Sequence, residues 1–149
     1  MEAETKFALR QLITDVAETW LNTPFVDGQG LKGAGVDCAY FPCRVYAEVG
    51  IIKPFNPPYY SPQLMLHSDN DHTYVETIKK WGGREIPESE VGRGDMVLYF
   101  VERTYAHGGI IIKWPDLIIH PIRNRGVIYS HGTNEGFFQR RKRRFFTVF

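Results

Sequence analysis

Apolar residues near the start of the chain recur at helical spacing. Between Thr5 and Leu21 they are mostly three or four positions apart, which is the period of an amphipathic α-helix. The apolar positions are Phe7, Leu9, Leu12, Ile13, Val16, Ala17, Trp20 and Leu21. The segment 22–24, which contains a proline, is expected to end this helix.

Two more helices are predicted farther along. One spans about Ala39 to Val49, with Gly50 at the position where a left-handed residue commonly ends a helix. The other spans about His72 to Trp81, with Asp69 or Asp71 available as its N-terminal cap.

The pattern changes to strands beyond Gly94, where short runs of β-branched and aromatic residues alternate with turn residues. The predicted strands are Asp95–Val101, His107–Lys113, Leu117–Ile122, Val127–Ser130 and Phe145–Phe149. Helices followed by antiparallel strands predict an α+β fold, with N-terminal helices packed on a C-terminal antiparallel β-sheet. At 149 residues the chain is most simply one domain, spanning residues 1–149.

The turn at Trp114-Pro115 predicts which strand residues face each other. If Lys113 lies opposite Asp116, then Gly109 lies opposite His120 in an antiparallel pair. Residues alternate between the faces of a sheet, so His107 and His120 would be diagonal neighbours on one face, within about 8 Å. One imidazole could then hold the other in place.

A glycine-rich run, Gly28–Gly35, precedes Val36-Asp37-Cys38 and places one thiol where a helix is predicted to begin. The positive end of a helix favours thiolate and can lower a cysteine pKa into the range of roughly 3.5–7.5. The ordinary alternative is that a cysteine beside an apolar helix is a small core residue. Cys43, inside the same helix, is expected to be such a packing residue.

Cys38, His107 and His120 together indicate nucleophilic catalysis. Cys38 would attack a carbonyl carbon, and His107 would accept the thiol proton and later give it to the leaving amine. His120 would fix the tautomer of His107, and backbone N–H groups at Cys38 and its neighbours would stabilise the oxyanion. Taken singly, each histidine could equally be a hydrogen-bonded core residue.

Charge, composition and residue spacing argue against a nucleic-acid-binding, metal-binding or membrane-inserted protein. The net charge of +1 gives no strong field for a polyanion, so no nucleic-acid partner is expected. The basic run Arg140–Arg144 directly precedes apolar residues and is interpreted as a solvated face or a protein contact. His67, His72 and His131 show no metal-ligand spacing, so neither a metal nor another cofactor is expected. No membrane span or signal peptide is visible, which predicts synthesis in the cytoplasm without membrane insertion.

Five segments together resemble the NlpC-type cell-wall cysteine peptidases: Thr23–Phe25, Gly35–Cys38, Arg93–Val97, His107–Ile110 and Ile119–His120. The resemblance implies a circularly rearranged papain-like core with a Cys-His-His triad. It implies cleavage of peptidoglycan stem peptides, commonly between D-glutamate and a diamino acid. Cys38, His107 and His120 fall on the nucleophile, base and orienting positions of that family.

The segment Tyr60–His67 and Trp114-Pro115 are similar to the compact versions of this family among tail proteins of bacteriophages and gene transfer agents. This likeness implies bacterial peptidoglycan and tail-hub or tail-tip proteins as partners. It also implies a place in the virion tail, with action in the periplasm or cell wall.

The residues expected to line the oxyanion or substrate site are Phe25, Asp37, Ala39 and Tyr40, and the chain departs from the family at two of them, Phe25 and Tyr40. The family usually has Ser or Ala and then Gly after Asp-Cys, whereas this chain has Ala39-Tyr40. Phe25 stands where a tyrosine commonly helps the oxyanion. Pro42 would make the regular helix start nearer Ala39 or would distort its first turn. The departures leave open a weak or inactive structural tail-hub module. Because related rearranged papain-like folds carry out amidase or acyl-transfer chemistry, an amidase or acyltransferase that uses the same cysteine is a second alternative.

Overall fold

The computed structural model describes residues 1–57, 73–101, 104–134, 136 and 138–149. These residues contain the helices α1, α2 and α3, a short 3₁₀ turn at Glu88–Glu90, and the strands β1 to β8. The helices are Ala3–Glu18 (α1), Tyr40–Val49 (α2) and Thr73–Lys80 (α3). The strands are Gly30–Leu31 (β1), Gly35–Val36 (β2), Arg84–Ile86 (β3), Met96–Val101 (β4), Thr104–Lys113 (β5), Leu117–Ile122 (β6), Gly126–Ser130 (β7) and Arg143–Thr147 (β8).

Six strands form one antiparallel sheet in the order β3-β8-β4-β5-β6-β7. One face carries residues such as Leu98 and Ile110, which pack in the main core with the buried sides of the three helices. The other face carries Tyr99 and Ile111, which form a smaller apolar cluster with Phe138. The expected α+β fold is confirmed, and the second cluster lies on the face to which His107 and His120 belong.

The predicted helices are present, with corrections at their ends and faces. Helix α1 stops at Glu18 rather than Leu21 because residues 19–22 form turns. Its buried stripe is narrower than predicted: Phe7 is 73% and Leu12 43% exposed. Helix α2 ends at Gly50, whose φ of +90° confirms the left-handed cap. The candidate caps of α3, at positions 69 and 71, lie outside the described residues.

Each predicted strand is found, with some ends shifted, and three short ones were missed. The strand predicted at Phe145–Phe149 is Arg143–Thr147, so it begins within the basic run. Strand β3 pairs with β8, and β1 pairs with β2 within the glycine-rich segment. Two or three residues are too few to show an alternating pattern in a sequence.

A buried carboxylate joins α1 to the sheet ahead of the site strands. Asp95 is fully buried and accepts hydrogen bonds from Arg10 at 2.9 Å, from the Thr147 hydroxyl at 2.6 Å and from the Gly92 N–H at 2.8 Å. A buried charge is stable only when it is paired and hydrogen-bonded in this way. The Gly-Asp motif ahead of β4 is therefore explained by packing.

Among the residues described, no helix has the length and apolar character that a membrane crossing requires.

Candidate active site

The two strand histidines meet as their register predicted. Ile110 pairs with Ile119 and Ile111 with Ile118, as the predicted register requires. The predicted pairing of Lys113 with Asp116 is wrong, because a bulge between Ile111 and Lys113 pairs Lys113 with Leu117 instead. A Cβ on Gly109 would lie 3.2 Å from the Cβ of His120. Nε2 of His107 lies 2.8 Å from Nδ1 of His120, which is a hydrogen bond between the rings. The predicted contact between these histidines is confirmed.

The histidine pair is buried in an aromatic environment. His107 is 8% and His120 0% exposed. The ring of Phe138 lies 6.0 Å from that of His107 and 5.0 Å from that of His120, and Tyr99 packs 4.3 Å from Phe138. Burial lowers the pKa of His107 to about 4, and burial together with His107 lowers the pKa of His120 to about 2. Both rings are therefore neutral at pH 7.

His120 has a second partner that the sequence did not reveal. Its Nε2 lies 2.7 Å from the hydroxyl oxygen of Ser130, which is buried in β7. Strands β6 and β7 pair with His120 opposite Ile128, so Ser130 is the diagonal neighbour of His120 on the same face. Extending the register argument to the β6–β7 hairpin would have found it.

Cys38 lies just before α2, against the backbone of β5. Its Sγ donates to the carbonyl oxygen of Ala106 at 3.1 Å, and the N–H of Gly108 also hydrogen-bonds to the sulfur. These two backbone groups flank His107. Strand β5 pairs with β6 only from Ile110 to Lys113. The thiol contacts β5 before this paired part, toward the start of the strand. The fold thus brings Cys38 to the part of β5 that carries His107.

The expected fall in the thiol pKa is wrong for this geometry. Burial raises the pKa of Cys38 to about 12, and the negative charge of Asp37 adds to the rise. Hydrogen bonds from the N–H groups of Cys38 and Gly108 oppose the rise but are smaller in effect. The thiol is therefore protonated at neutral pH.

Asp37 explains why the helix start does not ionise the thiol. Its carboxylate accepts hydrogen bonds from the N–H groups of Ala39 at 3.0 Å, Tyr40 at 2.8 Å and Gly28 at 2.8 Å. The carboxylate thus caps α2 and fixes the glycine-rich segment to it. The N–H groups of Ala39 and Tyr40 are thus bonded to Asp37, and the N–H of Cys38 hydrogen-bonds to its own sulfur.

Tyr74 supplies the hydrogen bond that Pro42 cannot make at the start of α2. Pro42 lies in the first turn of α2 and has no N–H to give the Cys38 carbonyl. The hydroxyl of Tyr74, on α3, donates to that carbonyl instead. Tyr74 also limits the space beside β5, since a Cβ on Gly108 would lie 2.5 Å from its hydroxyl oxygen. No sequence signal identified this contact.

Phe25 and Tyr40 contact different parts of the segment that precedes Cys38. Phe25 bridges to Val36, two positions before Cys38, and the guanidinium of Arg123 lies 4.8 Å above its ring. Both outer nitrogens of Arg123 bind the carboxylate of Asp27, at 3.0 and 2.9 Å. The ring of Tyr40 is covered by Arg44 and lies against the glycine at position 30, where an added Cβ would clash with Cδ1 of the ring.

The remaining predicted side chains fall outside this site. Cys43 is fully buried, which confirms that it is a packing residue. In the basic run Arg144 forms a bidentate pair with Glu85, at 2.8 and 2.6 Å, whereas Arg140 and Lys142 are exposed. Within the described part of the chain, no group of three His, Cys, Asp or Glu side chains could hold a metal; positions 67 and 72 lie outside it.

Comparison with known proteins identifies the family. The model of the NlpC/P60 family matches residues 22–145, which include all three predicted site residues, so the chain belongs to this family. Its members are generally peptidoglycan hydrolases with a catalytic cysteine, although some are non-catalytic. No curated protein matches the sequence.

Solved structures share the fold at low sequence identity. The NlpC/p60 domain of the peptidoglycan hydrolase SagA is 18% identical with a TM-score of 0.61, covering 91% of this chain and 96% of its own. The peptidoglycan hydrolase RipB from Mycobacterium tuberculosis is 15% identical with a TM-score of 0.64, covering 99% and 68%. RipD from the same organism is 14% identical with a TM-score of 0.59, covering 95% and 98%, and is described as a non-catalytic domain adapted to peptidoglycan binding.

Proposed function

We propose that this protein is a cysteine endopeptidase that cleaves peptidoglycan stem peptides. The hydrogen bond between His107 and His120, on the strand whose backbone holds the Cys38 thiol, carries the proposal. Covalent acyl transfer requires a nucleophile, a base and a group that orients the base. In this proposal these groups are Cys38, His107 and His120. The bond between D-glutamate and a diamino acid is the proposed scissile bond.

The protonation states favour general-base activation over a preformed ion pair. Nε2 of His107 bonds to His120, so the thiol proton would pass to Nδ1 as sulfur attacks the scissile carbonyl carbon. The resulting imidazolium would return this proton to the leaving amine, giving an acyl-enzyme thioester. Water, deprotonated by His107, would then attack the thioester, and the proton would return to the sulfur. The backbone N–H of Cys38 would donate to the oxyanion in both steps.

Product analysis tests the reaction class. Purified protein would be incubated with peptidoglycan sacculi and with isolated stem peptides, and the products identified by mass spectrometry. An endopeptidase frees a new amine within the stem. Release of whole stems from the sugar would show an amidase instead, and transfer of an acyl group to an added amine would show a transferase.

We also propose that the protein acts from a virion tail, where local digestion would let the tail pass the cell wall. The similarity of its Trp114-Pro115 segment to compact tail-borne versions supports this, and the exposed Arg140 and Lys142 offer a surface for a hub protein. Purified particles should contain the chain in their tails. Its presence only in lysate, and never in particles, would contradict this location.

A second candidate function is a module that binds peptidoglycan or a tail hub without cleaving. The raised thiol pKa and the helix N–H groups committed to Asp37 favour it, as does the absence of a hydroxyl at Phe25. In this case sacculi would bind the protein but remain undigested.

Replacing Phe25 with tyrosine discriminates between the two candidates. In the family this hydroxyl is credited with helping the oxyanion, and one such donor is typically worth about 100- to 1000-fold in kcat. We expect Phe25→Tyr to raise kcat about tenfold or more, since the new hydroxyl must share its surroundings with Arg123. The control is Phe7→Tyr, which adds the same hydroxyl on the exposed side of α1. If the protein is inactive and Phe25→Tyr leaves it inactive, the binding module is supported.

A further inference from the structure

The hydrogen-bond network of the two histidines extends beyond His120. His120 bonds to His107 through Nδ1 at 2.8 Å and to Ser130 through Nε2 at 2.7 Å, so both of its ring nitrogens are engaged. Ser130 is 4% exposed and His120 is fully buried, so solvent does not compete for these bonds. The Ser130 hydroxyl at the end of this hydrogen-bond network therefore influences which nitrogen of each ring carries the proton.

The positions of the ring protons on His107 and His120 are coupled. A neutral imidazole has one N–H donor and one acceptor nitrogen. For His107 to accept a proton at Nδ1, its own N–H must be at Nε2 and donate to Nδ1 of His120. His120 must then carry its proton at Nε2, where a buried N–H requires an acceptor. The Ser130 oxygen stands at that place.

We propose that Ser130 is a positioning residue that accepts the Nε2–H of His120 and thereby keeps His107 in the tautomer able to receive the thiol proton. Without the hydroxyl, the buried Nε2–H would lack its partner, and His120 would shift its proton to Nδ1. That proton would donate to Nε2 of His107 and leave the His107 proton on Nδ1. Nδ1 of His107 would then carry a proton and could not accept the proton of the thiol.

The direct test is the tautomer of His120, read from the ¹⁵N shifts and long-range ¹H–¹⁵N couplings of its ring in the wild-type protein. We expect a protonated Nε2 and an unprotonated Nδ1, and the reverse assignment would overturn the proposal. Ser130→Ala should move the proton toward Nδ1. Ser130→Thr, which keeps the hydroxyl and suits a strand, should restore the wild-type pattern.

The rate effect depends on the proposed hydrolysis. If the protein hydrolyses stem peptides, Ser130→Ala should lower kcat by about 10- to 100-fold with little change in KM, and Ser130→Thr should recover most of the loss. Tyr129→Phe is the matched control, because it removes a hydroxyl from the exposed face of the same strand. Unchanged kcat and unchanged ring shifts in Ser130→Ala would overturn the positioning role.

The two proposals can fail separately. A protein that shows the expected tautomers but does not cleave peptidoglycan would retain the positioning role and lose the hydrolase. If cleavage continues while His120 is protonated on Nδ1, the hydrolase is retained and the positioning role of Ser130 is lost.

Discussion

Replacing Cys38 with alanine should reduce peptidoglycan cleavage to the assay background, a loss of about a millionfold in kcat if the enzyme behaves like other nucleophile knockouts. In the proposed mechanism Cys38 supplies the atom that forms the acyl-enzyme, and its Sγ lies against the Ala106–Gly108 backbone. The measurement is release of stem fragments from sacculi, followed by mass spectrometry. Binding of sacculi should persist, because the variant removes one sulfur atom.

Cys43→Ala is the matched control for this loss. Cys43 lies on the same helix, is fully buried and bonds only weakly to the Phe55 carbonyl, at 3.5 Å. Its replacement should lower the melting temperature through a small cavity while leaving kcat close to that of the wild type. If Cys38→Ala cleaves as fast as the wild type, or if Cys43→Ala is the inactive variant, the proposed mechanism is wrong.

Much of the site was predictable because β-structure imposes strict parity. The register predicted for Ile110 and Ile111 is the observed one, and alternation then places His107 and His120 on one face, where their rings meet. The pairing assumed at the turn itself was wrong, because a bulge before Lys113 has no signal in the alternation of the sequence. The start of α2 at Tyr40 was equally accessible, since the apolar period and Gly50 delimit the helix.

The electrostatics of the site were not predictable from the same patterns. A helix start suggests a thiolate, but the Asp37 carboxylate occupies the N–H groups that would have stabilised one, and burial raises the thiol pKa further. Both effects depend on side-chain direction and packing depth, which a periodicity does not encode. The contact of Tyr74 with the Cys38 carbonyl likewise joins separate helices, and only the assembled fold shows it.

These electrostatics change the pH dependence expected for the proposed hydrolysis by the wild-type protein. Because burial lowers the pKa of His107 to about 4, this base stays unprotonated down to that pH. Activity should therefore remain level from about pH 8 down to about pH 5 and fall only as pH approaches 4 and His107 takes up a proton. The measurement is kcat/KM against pH, with circular dichroism to show that the fold persists. An acid limb centred near 6.5 would mean that His107 is exposed to water in the working enzyme.

His107→Ala should cost nearly as much as loss of the thiol, about 10⁴-fold or more in kcat, because the thiol, with a pKa of about 12, would lose the base to which the proposed mechanism passes its proton. The residual rate should rise about tenfold per pH unit through neutral pH, since only the ionised fraction of Cys38 would react. Iodoacetamide alkylation of the variant should show the same slope. His131→Ala, which removes a histidine from the turn after β7, is the control and should keep the wild-type profile. If His107→Ala retains the wild-type rate and a flat profile, His107 is not the base and the neutral-pair mechanism fails.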